Sequence, residues 1–240
     1  MMQSNAENTS ENLKSINDYL NDIKKAKKNE EKFSLYLSVV QKLKESQDYK
    51  KAIQYLTKAQ EISEKEKYDE SYLLMLFGDV YLELKKYDKA LEFYNKASKG
   101  SAKNLDYNIS IKVFLGLSKV NGRLGNTRKS LDYAKKALML SEKHQDKHNE
   151  SYANGYIGMA YSSLGEIPKA LEYLSVAYEI AQDANDASGE CLWVGNLGIC
   201  LNKLGETEKS IDLYQHAVKI AKEINNKQAE AQWTGNLGIA

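Results

Sequence analysis

One proline in 240 residues, two cysteines and three histidines leave little material for several classes of protein. Proline costs about 3 kcal/mol inside a helix, so a chain almost without it and rich in Leu, Lys, Glu and Ala is able to be helical throughout. Cys191 and Cys200 supply neither a disulfide framework nor paired zinc ligands. On one expected helix their nine-residue separation turns them roughly 180° apart. They are expected to be reduced and packed, as in a cytoplasmic protein. No apolar run reaches the length of a membrane span, and Met1 to Ser10 has neither the basic start nor the apolar core of a signal peptide. Charge of one sign is missing as well: 34 basic residues against 33 acidic ones give a net charge of +1, so no global field draws in nucleic acid or an anionic membrane.

Catalytic patterns are also wanting. There is no glycine-rich phosphate loop with its lysine, no paired-histidine zinc helix and no cysteine pair at ligand spacing. His144 and His148, with Glu142, Asp146 and Glu150 nearby, read as a solvated turn rather than as metal ligands, and His216 stands alone. No catalytic residue, metal site or cofactor is expected.

What the chain has is a period. Ala59, Ala97, Ala137, Ala177 and Ala217 follow one another at steps of 38, 40, 40 and 40 residues. Each stands seven residues after another small side chain: Ala52, Ala90, Ser130, Ala170 and Ser210. Twelve residues before that lies a third fixed point, at Val40, Gly78, Ser118, Gly158 and Gly198, with Gly238 opening a sixth unit. Apolar residues at helical spacing around it, as in Leu74, Phe77, Tyr81 and Leu84, define a first helix with one buried stripe. A turn at Gly125, Gly165 and Gly205 suits the left-handed end of that helix. A second helix follows, with Thr127, Thr207, Asp48 or Asp88 at its start and Pro168 in a first turn.

First helices are placed near residues 32–45, 70–84, 106–124, 149–164, 188–204 and 228–240, and second helices near 49–65, 88–99, 127–144, 167–183 and 207–224. Residues 1–10 read as a disordered tail, and residues 11–31, opened by Ser10 with Leu13, Ile16, Leu20 and Ile23 as a stripe, as an amphipathic capping helix. The array fills 32–240: five helix pairs and the first helix of a sixth, which suggests a fragment of a longer protein whose uncovered last repeat invites self-association. The fold class is all-α, a right-handed α-solenoid of antiparallel helix pairs.

The pattern resembles the tetratricopeptide repeat. The second unit reads Leu74, Phe77-Gly78, Tyr81, Ala90, Tyr94, Ala97, and the fourth Asn154, Ile157-Gly158, Tyr161, Ala170, Leu174, Ala177. The family's closing proline is absent, and the 40-residue step exceeds the common 34-residue form. With Gly195-Asn196-Leu197-Gly198 and Gly235-Asn236-Leu237-Gly238, it is similar to the subgroup of kinesin light chains and G-protein-regulating mitotic scaffolds. That resemblance implies a superhelix whose concave groove holds a peptide, with asparagines bonding the peptide backbone.

Asn196 and Asn236 precede the fixed glycine by two residues, which rotates them off the packing stripe and toward such a groove. By the same offsets Lys119, Arg123, Tyr156, Ser162, Ser163, Asn202, Lys203 and Gln232 share that face, with Arg123 and Lys203 as cations for an acidic ligand group. Gly155, Gly195 and Gly235 lie one turn earlier, where glycine costs about 1 kcal/mol; either a neighbouring helix or a bound backbone needs the space. Trp193 and Trp233 are expected to pack against the preceding second helix. The functional expectation is a non-catalytic interaction scaffold that binds an extended or helical protein segment. The alternative is the sensing region of a larger signalling protein.

Overall fold

The computed structural model describes residues 14–68, 70–104 and 106–240. Among these are twelve α-helices and no strand. A lone helix α1 (Ile16–Lys25) precedes five antiparallel pairs. They are α2 (Asn29–Glu45) with α3 (Tyr49–Glu66), α4 (Ser71–Glu83) with α5 (Tyr87–Asn104), α6 (Tyr107–Arg123) with α7 (Thr127–Lys143), α8 (Lys147–Leu164) with α9 (Ile167–Asp183), and α10 (Ala187–Lys203) with α11 (Thr207–Glu223). Helix α12 (Lys227–Leu237) follows. The chain divides into two compact units, Met1–Leu105 and Asp106–Ala240. The architecture is an all-α solenoid of repeated helix pairs.

In the first unit two expectations change. Helix α5 continues through Gly100 to Asn104 instead of ending near residue 99. Gly100 marks a close approach there, since a Cβ would collide with the Ser71 hydroxyl of α4. The expected tail and Ser10 and Leu13 lie outside the described residues, and α1 is opened by Ser15, not Ser10. Ser15 accepts from the Asp18 amide while the Asp18 carboxylate accepts from the Ser15 amide at 2.9 Å, a reciprocal cap. The Ser15 hydroxyl, which donates to the Asp18 carboxylate at 2.6 Å, and then the Ser15 amide hold the Asp18 carboxyl below its ordinary pKa. Tyr19 and Ile23 are the buried residues of α1, whereas Ile16 and Leu20 are half-buried.

In the second unit each first helix is opened by the same device at a 40-residue step. Asp106, Asp146, Asp186 and Asn226 accept from the backbone amides of Ile109, Asn149, Gly189 and Ala229. The second helices α7 and α11 start at the expected residues. Thr127 and Thr207 are the first helical residues, and the N-cap positions before them, Asn126 and Glu206, make no side-chain cap bond. The left-handed glycine of the preceding turn, such as Gly165 at φ +81°, sets that register. Pro168 stands in the first turn of α9, where no N–H is needed.

Small residues set how closely helices pack. A Cβ on Gly158 would lie 2.7 Å from Leu174, and one on Gly198 2.8 Å from Tyr214. Where the third repeat has serine instead, Ser118 and Ser130 each donate a hydroxyl to the other's backbone carbonyl at 2.9 Å, tying α6 to α7. The glycines one turn earlier are explained by the neighbouring repeat. A Cβ on Gly155 would enter the Trp193 ring, and one on Gly195 would lie 2.5 Å from Trp233. Each tryptophan thus lies on the preceding first helix and also packs into the preceding pair's core: Trp193 with Leu174, Ala177 and Ala181, Trp233 with Tyr214, Ala217 and Ala221.

Candidate functional site

Within the second unit the first helices touch one another, α6 to α8, α8 to α10 and α10 to α12, while second helices contact mainly first helices. Four first helices therefore make one continuous face, and the second helices spread apart behind it. The 40-residue register arranges that face in rows. One row runs Lys112, Tyr152, Leu192, Gln232; the next Gly116, Tyr156, Asn196, Asn236; a third Lys119, Met159, Ile199, Ile239; and a fourth Arg123, Ser163, Lys203.

The expected site residues lie in these rows, except Asn202 and Ser162, which stand one position before the fourth, and they are in different states. Arg123, Asn202 and Gln232 are exposed, and Lys119 and Asn236 half-buried. Asn196 is only 8% exposed, and its amide donates to the Leu192 carbonyl at 2.7 Å. One of its donors is therefore engaged by its own helix, an option any asparagine in a helix has with the carbonyl four residues back. Tyr156 is half-buried, edge-on to Trp193 with centroids 5.9 Å apart. The Lys203 ammonium bonds the Ser162 carbonyl at 2.9 Å and its hydroxyl at 3.0 Å, placing a cation at the carboxyl end of α8, where the helix dipole favours it. Ser162 is buried under this contact, and Ser163 donates to the Met159 carbonyl.

Sequence reasoning passed over Tyr152, Met159, Leu192 and Ile199, which give the face its apolar middle. The register of Gln232 and Asn236, stepped back by 40 and 80 residues, points to Tyr152, Leu192 and Tyr156. Tyr152 also meets Trp193 edge-on at 5.4 Å. Burial, then the neighbouring Asp186 carboxylate, raise its phenol pKa, so it stays a neutral hydroxyl. Burial likewise raises the thiol pKa of Cys191 and of Cys200, both free and buried, and keeps them protonated and unreactive. His144 stacks on Tyr107 at 3.7 Å, and His148 Nδ1 lies 3.2 Å from Asp186. No three His, Cys, Asp or Glu side chains converge as for a metal among the described residues, and no helix there is long and apolar enough to cross a membrane.

Comparison with known proteins bears on the fold. Tetratricopeptide-repeat family profiles match residues 43–103 and 195–224. No curated protein matches the chain in sequence. Among solved structures, BtubC (BKLC) from P. vanneervenii is 17% identical with a TM-score of 0.71, over 88% of this chain and 91% of that one. The Rap conjugation gene regulator of the plasmid pLS20, solved in complex with the Phr* peptide, is 18% identical with a TM-score of 0.72, over 84% of this chain and 56% of that one. A Podosopora anserina putative kinesin light chain is 12% identical with a TM-score of 0.62, over 84% of this chain and 100% of that one. With these matches beside the repeated helix pairs and their small-residue contacts, the chain carries tetratricopeptide repeats, and its fold resembles that of kinesin-light-chain-like repeats.

Proposed function

We propose that this protein is a non-catalytic scaffold that holds a peptide segment of a partner protein on the face formed by α6, α8, α10 and α12. The observation that carries the reading is the continuity of that face: successive first helices touch, so four helices present one strip with cations at one end, tyrosines and aliphatic side chains in the middle and amides at the other. A strip of this kind suits an extended or helical segment, with apolar anchors for affinity and amides for backbone bonds. The site comprises Lys119, Arg123, Tyr156, Asn196, Asn202, Lys203, Gln232 and Asn236, joined by Tyr152, Met159, Leu192 and Ile199. That the similar Rap regulator was solved with a peptide supports the ligand class.

The reading needs no cofactor, metal, nucleic acid or membrane, and the buried thiols suit the reducing cytoplasm. A second reading, the peptide-sensing part of a larger regulator, draws on the same Rap structure, of which this chain spans 56%. The test is selection of displayed random 12-residue peptides on the intact chain, followed by affinity measurement with Tyr156→Ala, Gln232→Ala and Asn236→Ala combined. A loss of binding with unchanged helicity is expected. Unchanged affinity removes the face as the site.

A further inference from the structure

The outer surface of the second unit is made by the second helices, and these differ in charge. Over Thr127–Lys143, α7 carries the cations Arg128, Lys129, Lys135, Lys136 and Lys143 against Asp132 and Glu142. Over Ile167–Asp183 the balance reverses, and α9 sets Lys169 alone against Glu172, Glu179 and Asp183. Helix α11 is even, with Lys209, Lys219 and Lys222 against Glu208, Asp212 and Glu223. Every charged side chain of α7 and α9 is exposed. Arg128, Lys129, Lys143, Glu172, Glu179 and Asp183 belong to no ion pair among the described residues. Lys135 is held 5.9 Å over the Tyr161 ring and Lys136 5.2 Å over the Tyr133 ring, so aromatic faces rather than carboxylates position two ammoniums of α7.

Apolar surface accompanies the charge. Met139 on α7 is 62% exposed and Val176 on α9 39%, and among the described residues these are the exposed large apolar side chains that second helices present. Both helices pack on α8 rather than on each other, so they run side by side in the same direction, one repeat apart.

From this we infer that α7 and α9 form a self-complementary docking surface whose occupant is a second copy of this chain. A two-fold axis parallel to the helices lays α7 of one copy along α9 of the other and, at the same time, α9 along α7, so the contact closes on itself. In the 40-residue register Lys143 then meets the partner's Asp183, Lys136 lies between the partner's Glu172 and Glu179, and Met139 meets the partner's Val176 one turn away. Asp132 faces a like charge, the partner's Glu172, but Lys129, Lys135 and Lys136 are its neighbours on the same helix face. An anionic membrane or a nucleic acid would engage α7 and be repelled by α9, whereas a second copy uses both signs. Two helices of 17 residues, each about 25 Å long and about 10 Å wide, offer about 500 Å² per copy, below the roughly 800 Å² of a standard stable interface. The dimer is therefore reversible and salt-sensitive, and it leaves the face of first helices free.

The experiment is sedimentation equilibrium of the intact chain from micromolar to millimolar concentration, at low and at high salt. A monomer–dimer equilibrium that salt weakens is expected. Lys135→Glu with Lys136→Glu should weaken it by at least about tenfold, since two-fold symmetry counts each change twice, and Glu172→Lys with Glu179→Lys should do the same. An equimolar mixture of the two variants should form a heterodimer, and all four changes in one chain should restore the homodimer, because opposite signs meet again. That rescue separates lost pairing from a damaged helix. A chain that stays monomeric throughout overturns the inference, as does a dimer indifferent to both reversals. Failure of both the mixture and the fourfold variant to associate removes the pairing of α7 with α9. A dimer lost only with Ile239→Asp, at an exposed residue beyond α12, places the contact there instead. Monomers that bind phosphatidylserine vesicles, and lose them with the α7 reversal, make α7 a membrane-facing surface and overturn the dimer.

Discussion

Trp193 and Trp233 occupy equivalent places in successive repeats, 40 residues apart, and their surroundings differ in one respect. Both lie on a glycine of the preceding first helix, Gly155 and Gly195, and both are almost wholly buried. The Trp193 indole N–H donates to the Ser151 hydroxyl at 2.9 Å, and that hydroxyl donates to the Ala177 carbonyl at 2.7 Å, a relay joining three helices. At the second joint Cys191 stands in place of Ser151. Its thiol donates to the Ala217 carbonyl at 3.4 Å, and the buried Trp233 N–H has only that sulfur beside it and no oxygen acceptor. The helix geometry is thus fixed by shape, through glycine and indole, and hydrogen bonding is a separate layer that one joint completes and the other does not.

The largest way to break the comparison is to remove the indole. Trp193→Ala should cost roughly 3–5 kcal/mol, by the general cost of truncating a buried aromatic, and Trp233→Ala should cost less because its N–H is less well satisfied. Urea unfolding followed by helical circular dichroism measures both. Equal losses would mean that the Ser151 relay adds nothing. Next comes the glycine beneath the ring. Gly155→Ala gains up to about 1 kcal/mol of helix propensity but drives a methyl group into Trp193, an overpacking of about 1–3 kcal/mol, so a net loss of stability is expected.

These joints show what a sequence can and cannot disclose. Helix boundaries were legible because periodicity, left-handed glycines and Pro168 are local signals, and most lie within a few residues of their expected places. The need for space at Gly155 and Gly195 was legible too, but not its cause. The ring that fills each gap comes from a residue 38 positions later, and only the packing of successive first helices brings them together. The expectation for Asn196 rests on its helical offset, and its bond to Leu192 is a choice among rotamers that spacing does not reveal. The Asp106, Asp146, Asp186 and Asn226 caps of the first helices follow the same 40-residue step in the sequence, a local signal of the same kind. The apolar half of the candidate face was hidden because Leu192 and Ile199 look like core residues until the neighbouring helices show which side stays accessible.

A smaller change sharpens the hydrogen-bond layer. Cys191→Ser gives Trp233 the oxygen acceptor that Trp193 already has, at nearly constant volume. A gain of about 0.5–1.5 kcal/mol is expected, the usual net worth of one hydrogen bond, and Ser151→Cys should lose a similar amount. The double variant, with the two residues exchanged, should return close to the original stability, since the joints share no side chain of the relay. A destabilised Cys191→Ser would show that the second joint is organised around sulfur.

The smallest effect concerns Gly235, which shares the register of Gly155 and Gly195 but faces no atom within 4 Å of where its Cβ would stand. In this 240-residue chain Gly235→Ala therefore gains helix propensity without overpacking, and a stabilisation of up to about 1 kcal/mol is expected, opposite in sign to Gly155→Ala. The opposition of sign is the informative quantity, because propensity is common to the two substitutions and only the indole differs. A peptide or a further tryptophan-bearing helix seated on α12 would reverse the sign for Gly235→Ala. Thermal melts of that variant with and without a selected peptide therefore report whether the ligand's backbone approaches this glycine as closely as Trp193 approaches Gly155. If the variant stays stabilised in both states while affinity is unchanged, the ligand sits over the tyrosines and leaves this end of the face uncovered.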